Sequence, residues 1–219
     1  MLLLLISLLS ACGADQHKSS NEEGKLTIFT TVFPLTDFTK KIGGEDVIVN
    51  SIYPPGADAH TFEPTPRDMT EMASADAFIF TGVGVEAFVS SAKKTLKEEK
   101  VALIEAGAGI EFIDMEDDTH NHNDEEHHHG DIDPHIWLDP IYSIQIAENI
   151  KDALSELNPS GKDVYEENFN ELKGQLETLN KEFTEVANSA KRNEILVAHS
   201  AYGYWEARYG IKQISITGF

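Results

Sequence analysis

The chain has 219 residues, enough for one large domain or two small lobes, with a core that needs no disulfide or metal staple. Its 17 lysines and arginines face 38 aspartates and glutamates, giving a formal net charge of −21. That excess argues against a nucleic-acid partner, whose affinity comes mostly from basic side chains meeting phosphates, and suits a protein that stays in solution or attracts cations.

Cys12 is the only cysteine, so no intrachain disulfide can form. It follows MLLLLISLLSA, an apolar run too short to span a bilayer as a helix, which takes about 20 residues, but of signal-peptide length. The residues LSAC resemble the lipobox at which bacterial lipoproteins are cleaved and acylated, and the polar run GADQHKSSNEEG follows at once. Residues 1–11 are therefore expected to be a signal peptide, and residues 12–24 a flexible tether lipidated at Cys12. Acyl chains anchor at about 0.8 kcal/mol per buried CH₂, and a tether of this composition spans roughly 20 Å. No Lys or Arg precedes the apolar run, where a signal peptide begins with positive charge; that departure points to a start further upstream.

From Lys25 the pattern becomes globular. KLTIFTTVF reads as a strand, and Pro34 opens a short helix over LTDFTKKIGG. DVIVNSIYP is a second strand. TPRDMTEMASA opens a helix with Thr65 at the N-cap and Pro66 at the first helical position. DAFIFTG is a strand, VEAFVSSAKKTLKE a helix and VALIEA a strand. Strands that alternate with helices and run as continuous apolar stretches imply parallel pairing with both faces covered. Residues 114–131, DMEDDTHNHNDEEHHHGD, hold one apolar residue, Met115, and are expected to be a disordered surface loop.

DPIYSIQIAENIKDALSELNP reads as a helix closed by Pro159. The longest element comes next. Tyr165, Phe169, Leu172, Leu176, Leu179, Phe183, Val186 and Ala190 alternate spacings of 4 and 3, a helical stripe of near-heptad period. From Ser160 to Ala190 such a helix runs about 45 Å. Globular patterns flank it, so a rigid helix joining two lobes is a better reading than an isolated coiled coil. EILVAHS then reads as a strand, AYGYWEARYG as a helix capped by Gly210, and IKQISI as a further strand. The expected fold is α/β: two lobes with parallel sheets flanked by helices, joined by one long rigid helix. The lobes divide at 25–157 for the first, 158–192 for the linking helix and 193–219 for the start of a second lobe. One strand, one helix and part of another strand leave that second lobe incomplete, as in a fragment.

Three histidines lie in ordered surroundings. His60 sits in PPGADAHTFEP after a strand, His135 between Pro134 and Pro140, and His199 at the end of ILVA. Ligands of α/β folds bind at the carboxyl ends of strands, and neutral imidazole suits zinc, copper, iron or nickel. The three are 75 and 64 residues apart, and those gaps carry no local signature. Taken singly, each is equally well read as a satisfied polar histidine near a loop. Trp137, Phe62 and Trp205 are expected to pack around the cleft. Glu63 and Asp139 are expected either to orient ligand histidines or to form surface salt bridges.

The segments PPGADAHTFEPTPRDM, DPHIWLDP and LVAHSAYGYWEARYGI together resemble the metal-binding lipoproteins of ABC importers for zinc and manganese, the zinc-specific members most closely. The matched segments run from about Lys25 to Phe219 in the right order. The resemblance implies two α/β lobes with the metal held in the cleft between them by His60, His135 and His199. Manganese members are similar but place a Glu where this chain has His199, and a third imidazole favours zinc. Zinc members also carry a His-rich acidic loop. Here His120, His122, His127, His128 and His129 would be an auxiliary zinc cluster, separate from His135. The fourth ligand position of such proteins lies beyond Phe219.

The implied function is extracytoplasmic capture of Zn2+ by a monomeric receptor. It would be anchored by lipid to the outer face of a bacterial membrane and would deliver the ion to an ABC permease. A manganese receptor is the nearest alternative. A zinc hydrolase would need a positioned general base, and neither HExxH nor another such group stands out, so the chain is read as no enzyme. A surface adhesin rests on analogy with relatives alone.

Overall fold

The computed structural model describes residues 24–82, 84–114 and 132–216. The expected signal peptide, Cys12 and the five loop histidines lie outside these residues.

Four strands form one parallel sheet: β1 (Leu26–Thr30), β2 (Val47–Ser51), β3 (Ala77–Phe80) and β4 (Ala102–Glu105), in the order β2-β1-β3-β4. In register, Ile28 lies between Val49 of β2 and Ala77 of β3. Successive side chains on a strand point to opposite faces, and in the two central strands both faces are buried. Ile28, Ala77 and Ile79 join one apolar cluster; Phe29, Phe78 and Phe80 join another. The continuous apolar runs of the sequence are thus the signature of strands covered on both sides.

The helices follow the same division. On one face lie α1 (Phe33–Gly43), α4 (Pro140–Leu157) and α5 (Lys162–Ser189), with Leu35, Phe38, Ile42, Ile146, Ile150 and Leu154 in the cluster. On the other lie α2 (Pro66–Met72) and α3 (Val89–Leu96), with Met72, Val89 and Leu96. Thr65 caps α2 in a reciprocal box with Asp68, and Pro66 takes the first turn, as the sequence reading has it. Helix α3 starts later than the sequence suggests. Glu86 is buried, and its Oε1 accepts hydrogen bonds from Thr31 Oγ1 at 2.7 Å, from the Thr81 backbone N–H at 2.8 Å and from Thr81 Oγ1. The segment before Val89 is therefore held as a turn tying the ends of β1 and β3 together.

Helix α5 has 28 residues, about 42 Å at 1.5 Å per residue. Its stripe has two parts. Tyr165, Phe169, Leu172 and Leu176 are buried against α1 and α4 in the core of the first lobe. Further on, Leu179 and Val186 are exposed, while Phe183 lies under Trp205 and Tyr209 of α6 (Gly203–Tyr209), with ring centroids 4.9 and 5.3 Å away. Beyond α5, β5 (Glu194–Val197) and β6 (Lys212–Ser215) pair in parallel as a second, two-stranded sheet, crossing over through α6. Gly210 caps α6 at φ 67°, a left-handed conformation that glycine adopts without a Cβ penalty.

Candidate metal centre

His60 lies between the end of β2 and the start of α2, on a loop held from both sides. Asp58 Oδ1 accepts from the backbone N–H groups of His60 at 2.9 Å and Thr61 at 3.1 Å. These bonds, the one from His60 first, hold the Asp58 carboxyl below its ordinary range. Tyr53 Oη donates to the Ala59 carbonyl at 3.2 Å. Phe62 turns inward, edge-on to Tyr53 and Phe88, and anchors the loop on the second apolar cluster.

His135 belongs to the segment between β4 and α4. The chain on its N-terminal side is fixed by the antiparallel bridge between Asp114 and Ile132 and by the Asp133 N–H bond to the Ile113 carbonyl at 2.9 Å. On its C-terminal side a short 3-10 turn, Ile136–Leu138, buries Ile136 and runs into α4. His135 itself is buried. Asp133 Oδ1 takes its backbone N–H at 2.9 Å and lies 2.8 Å from its Nδ1. A carboxylate at Nδ1 draws the proton there, so Nε2 is left with its lone pair facing the cleft.

His199 comes two residues after β5. Its Nε2 lies 3.2 Å from Nε2 of His135, and the ring of His60 completes a triangle, with centroid separations of 5.6, 5.4 and 5.1 Å. One ligand atom from each histidine falls within 4.8 Å of the others. Two imidazoles bound to tetrahedral zinc at about 2.0–2.1 Å hold their nitrogens roughly 3.3 Å apart. The His135–His199 separation matches that distance. Among the described residues this is the only group of three or more histidine, cysteine or acidic side chains so assembled. The His199 imidazole is held below its ordinary pKa, first by burial and then by the neighbouring His135 and His60; Asp58 and Asp133 oppose the shift. It stays neutral to lower pH than a free imidazole.

The structure thus gathers the three histidines singled out from the sequence. Of the two readings offered for Glu63 and Asp139, it does not bear out the one in which they orient the histidines. Asp139 bonds no ligand histidine: it caps α4 by accepting from the N–H groups of Ile141 and Tyr142, and it pairs with Arg208. Glu63 is exposed and hydrogen-bonds none of the three. The orienting group is Asp133. Of the aromatics expected around the cleft, Trp137 lies edge-on to His135 at 5.5 Å. Phe62 faces the core, and Trp205 packs on Phe183 and Tyr202 with its indole N–H on the Leu138 carbonyl.

A family model described as zinc-uptake complex component A, periplasmic, matches residues 28–219. The chain is 35% identical over 229 residues to the zinc-binding protein AdcA of Streptococcus pyogenes serotype M3, covering 100% of this chain and 44% of that protein. It is 32% identical to the high-affinity zinc uptake system protein ZnuA of Bacillus subtilis, covering 96% of this chain and 67% of that one. Among solved structures, Zn(II)-bound AdcA from Streptococcus pneumoniae superposes with a TM-score of 0.78 at 30% identity, over 90% of this chain and 40% of that chain. The chain therefore spans less than half the length of the AdcA proteins it matches.

Proposed function

The chain belongs to the zinc-uptake complex component A family, and from that membership we propose that it captures Zn2+ outside the cytoplasm and delivers it to an ABC permease. His60, His135 and His199 are the ligands in this reading. The observation that carries it is the convergence of three imidazoles from three separate connecting segments, two of them at the nitrogen spacing of tetrahedral zinc. Neutral nitrogen donors favour zinc over manganese, which prefers added carboxylate. The zinc is cargo, so a site built in advance by the fold is what rapid capture needs.

The finer features belong to the same proposal. Cys12 carries the lipid that holds a monomeric receptor at the outer face of the membrane. The chain divides into a first lobe at 25–157, a linking helix at 158–192 and a second lobe from 193. The five histidines of the 114–131 loop gather zinc more weakly than the preformed site, because ordering a loop around an ion costs entropy. The relatives are named for zinc binding and uptake rather than catalysis, in keeping with a receptor that is no enzyme.

The test is a zinc titration of the chain in excess manganese, with residues 114–131 replaced by a Gly/Ser linker. One tight zinc site, lost in His199→Ala, is the expected result. Tight binding that survives His199→Ala, or that manganese displaces, contradicts the assignment.

A further inference from the structure

His135 and His199 are 64 residues apart in sequence, with α4 and all of α5 between them. Their 3.2 Å separation is not left to that long path. The helix that begins four residues after His199, α6, grips the His135 segment directly. Tyr204 Oη donates to the Asp133 carbonyl at 2.7 Å, and Trp205 Nε1 donates to the Leu138 carbonyl at 2.8 Å. The Arg208 guanidinium pairs with the buried Asp139 carboxylate and lies 5.5 Å over the Tyr142 ring. On its other side, α6 rests on α5 through Phe183 and through Tyr209 Oη on Asn180 Oδ1 at 3.0 Å. The segment that presents His135 is thus held at its start, Asp133, and at its end, Leu138 and Asp139, by three side chains of one helix.

Gly203, the first residue of α6, also lies close to this segment. A Cβ there would stand 2.5 Å from Asp133 Oδ2, on the carboxylate whose other oxygen holds His135. The side chain that sets the tautomer and aim of His135 therefore fits only because position 203 has no side chain.

We propose that α6 is a positioning clamp for the metal centre. In this inference, which rests on the zinc reading above, Gly203, Tyr204, Trp205 and Arg208 fix His135 against His199 and thereby set how slowly zinc leaves. Opening the cleft breaks three hydrogen-bonded contacts and strands a buried carboxylate, which is strongly unfavourable. The site therefore stays formed without metal, and release waits for something that dislodges α6.

The experiment uses the full chain. Zinc release is followed by chelator competition, and the Co2+-substituted protein is followed by its visible absorption, which reports ligand geometry. Gly203→Ala and Arg208→Gln are expected to speed zinc release and weaken affinity by about 10–100-fold, the usual effect of losing an outer-shell partner of a metal ligand. The cobalt spectrum should shift in both variants, with circular dichroism showing that each remains folded. Trp205→Phe keeps an aromatic ring beside Phe183 while removing the indole N–H and shrinking the side chain. It guards against a fold failure in the other two, and faster release is expected there as well. Unchanged release and spectrum in folded variants, beside a wild-type chain that binds zinc tightly, overturn the clamp alone. A wild-type chain without tight zinc binding overturns the zinc reading and the clamp with it.

Discussion

Asp133 governs the chemistry of His135 more than any feature of the imidazole itself. Its Oδ1 receives both the backbone and the ring N–H of His135, and that leaves Nε2 as the ring nitrogen with a free lone pair. Asp133→Ala is predicted to weaken zinc binding by about 10–100-fold in competition titrations, with Asp133→Asn intermediate because an amide oxygen still accepts the bond. The depressed pKa of His199 gives a second prediction. Its folded value lies below the unfolded one, about 6.5, so as pH falls the unfolded chain takes up the proton first. Its share of metal-free stability is whole above that unfolded value and is lost as pH falls through the lower folded one. Urea unfolding at pH 7.5 and 5.5 should show this loss, and His199→Gln should reduce it. At this scale the three histidines that the structure brings together were legible, because each sits in a segment of the family resemblance, but the groups that hold them were not. Asp133 and Asp139 both flank His135, and spacing alone does not say which turns toward the ring. The Asp139-Pro140 pair was an available clue, since Asp before Pro at a helix start marks an N-cap and so commits that carboxylate elsewhere.

Among elements, α3 and α5 show what the apolar pattern alone conceals. The run VEAFVSS has helical character, yet its first residues form a turn because the Glu86 carboxylate binds Thr31 and Thr81 across the ends of β1 and β3. Glu86→Ala strands a buried backbone N–H and two hydroxyls. It should lower stability by about 3 kcal/mol, seen as a lower denaturant midpoint. In α5 the stripe is continuous in sequence but serves two partners. Tyr165 to Leu176 complete the first lobe, and Phe183 supports α6. Period reveals which face is apolar; it does not reveal what covers that face, which is why Leu179 and Val186 are exposed. The strands were legible for a clear reason: β1 and β3 are buried on both faces, and only continuous apolar runs satisfy that.

At the scale of the whole molecule, the net charge of −21 suits the site proposed to take a cation. A field of that sign raises the local concentration of Zn2+ and speeds encounter, and salt screens it. The zinc association rate should therefore fall as ionic strength rises, while the dissociation rate, set within the cleft, changes little; stopped-flow mixing at two salt concentrations separates them. The order of the three motifs along the chain was readable, and so was the position of His60 and His199 after strands. The grip of α6 on the 133–139 segment was not, because hydrogen bonds between residues some 70 positions apart leave no mark in local composition. The central claim is that three imidazoles hold one zinc ion. The most direct test is X-ray absorption at the zinc edge, on the chain loaded with one equivalent and with His120, His122, His127, His128 and His129 replaced by glutamine. The account predicts a shell with three imidazole nitrogens at about 2.0–2.1 Å, identified by their outer-ring scattering. A shell dominated by carboxylate oxygen, or zinc lost once the loop histidines are gone, would contradict it.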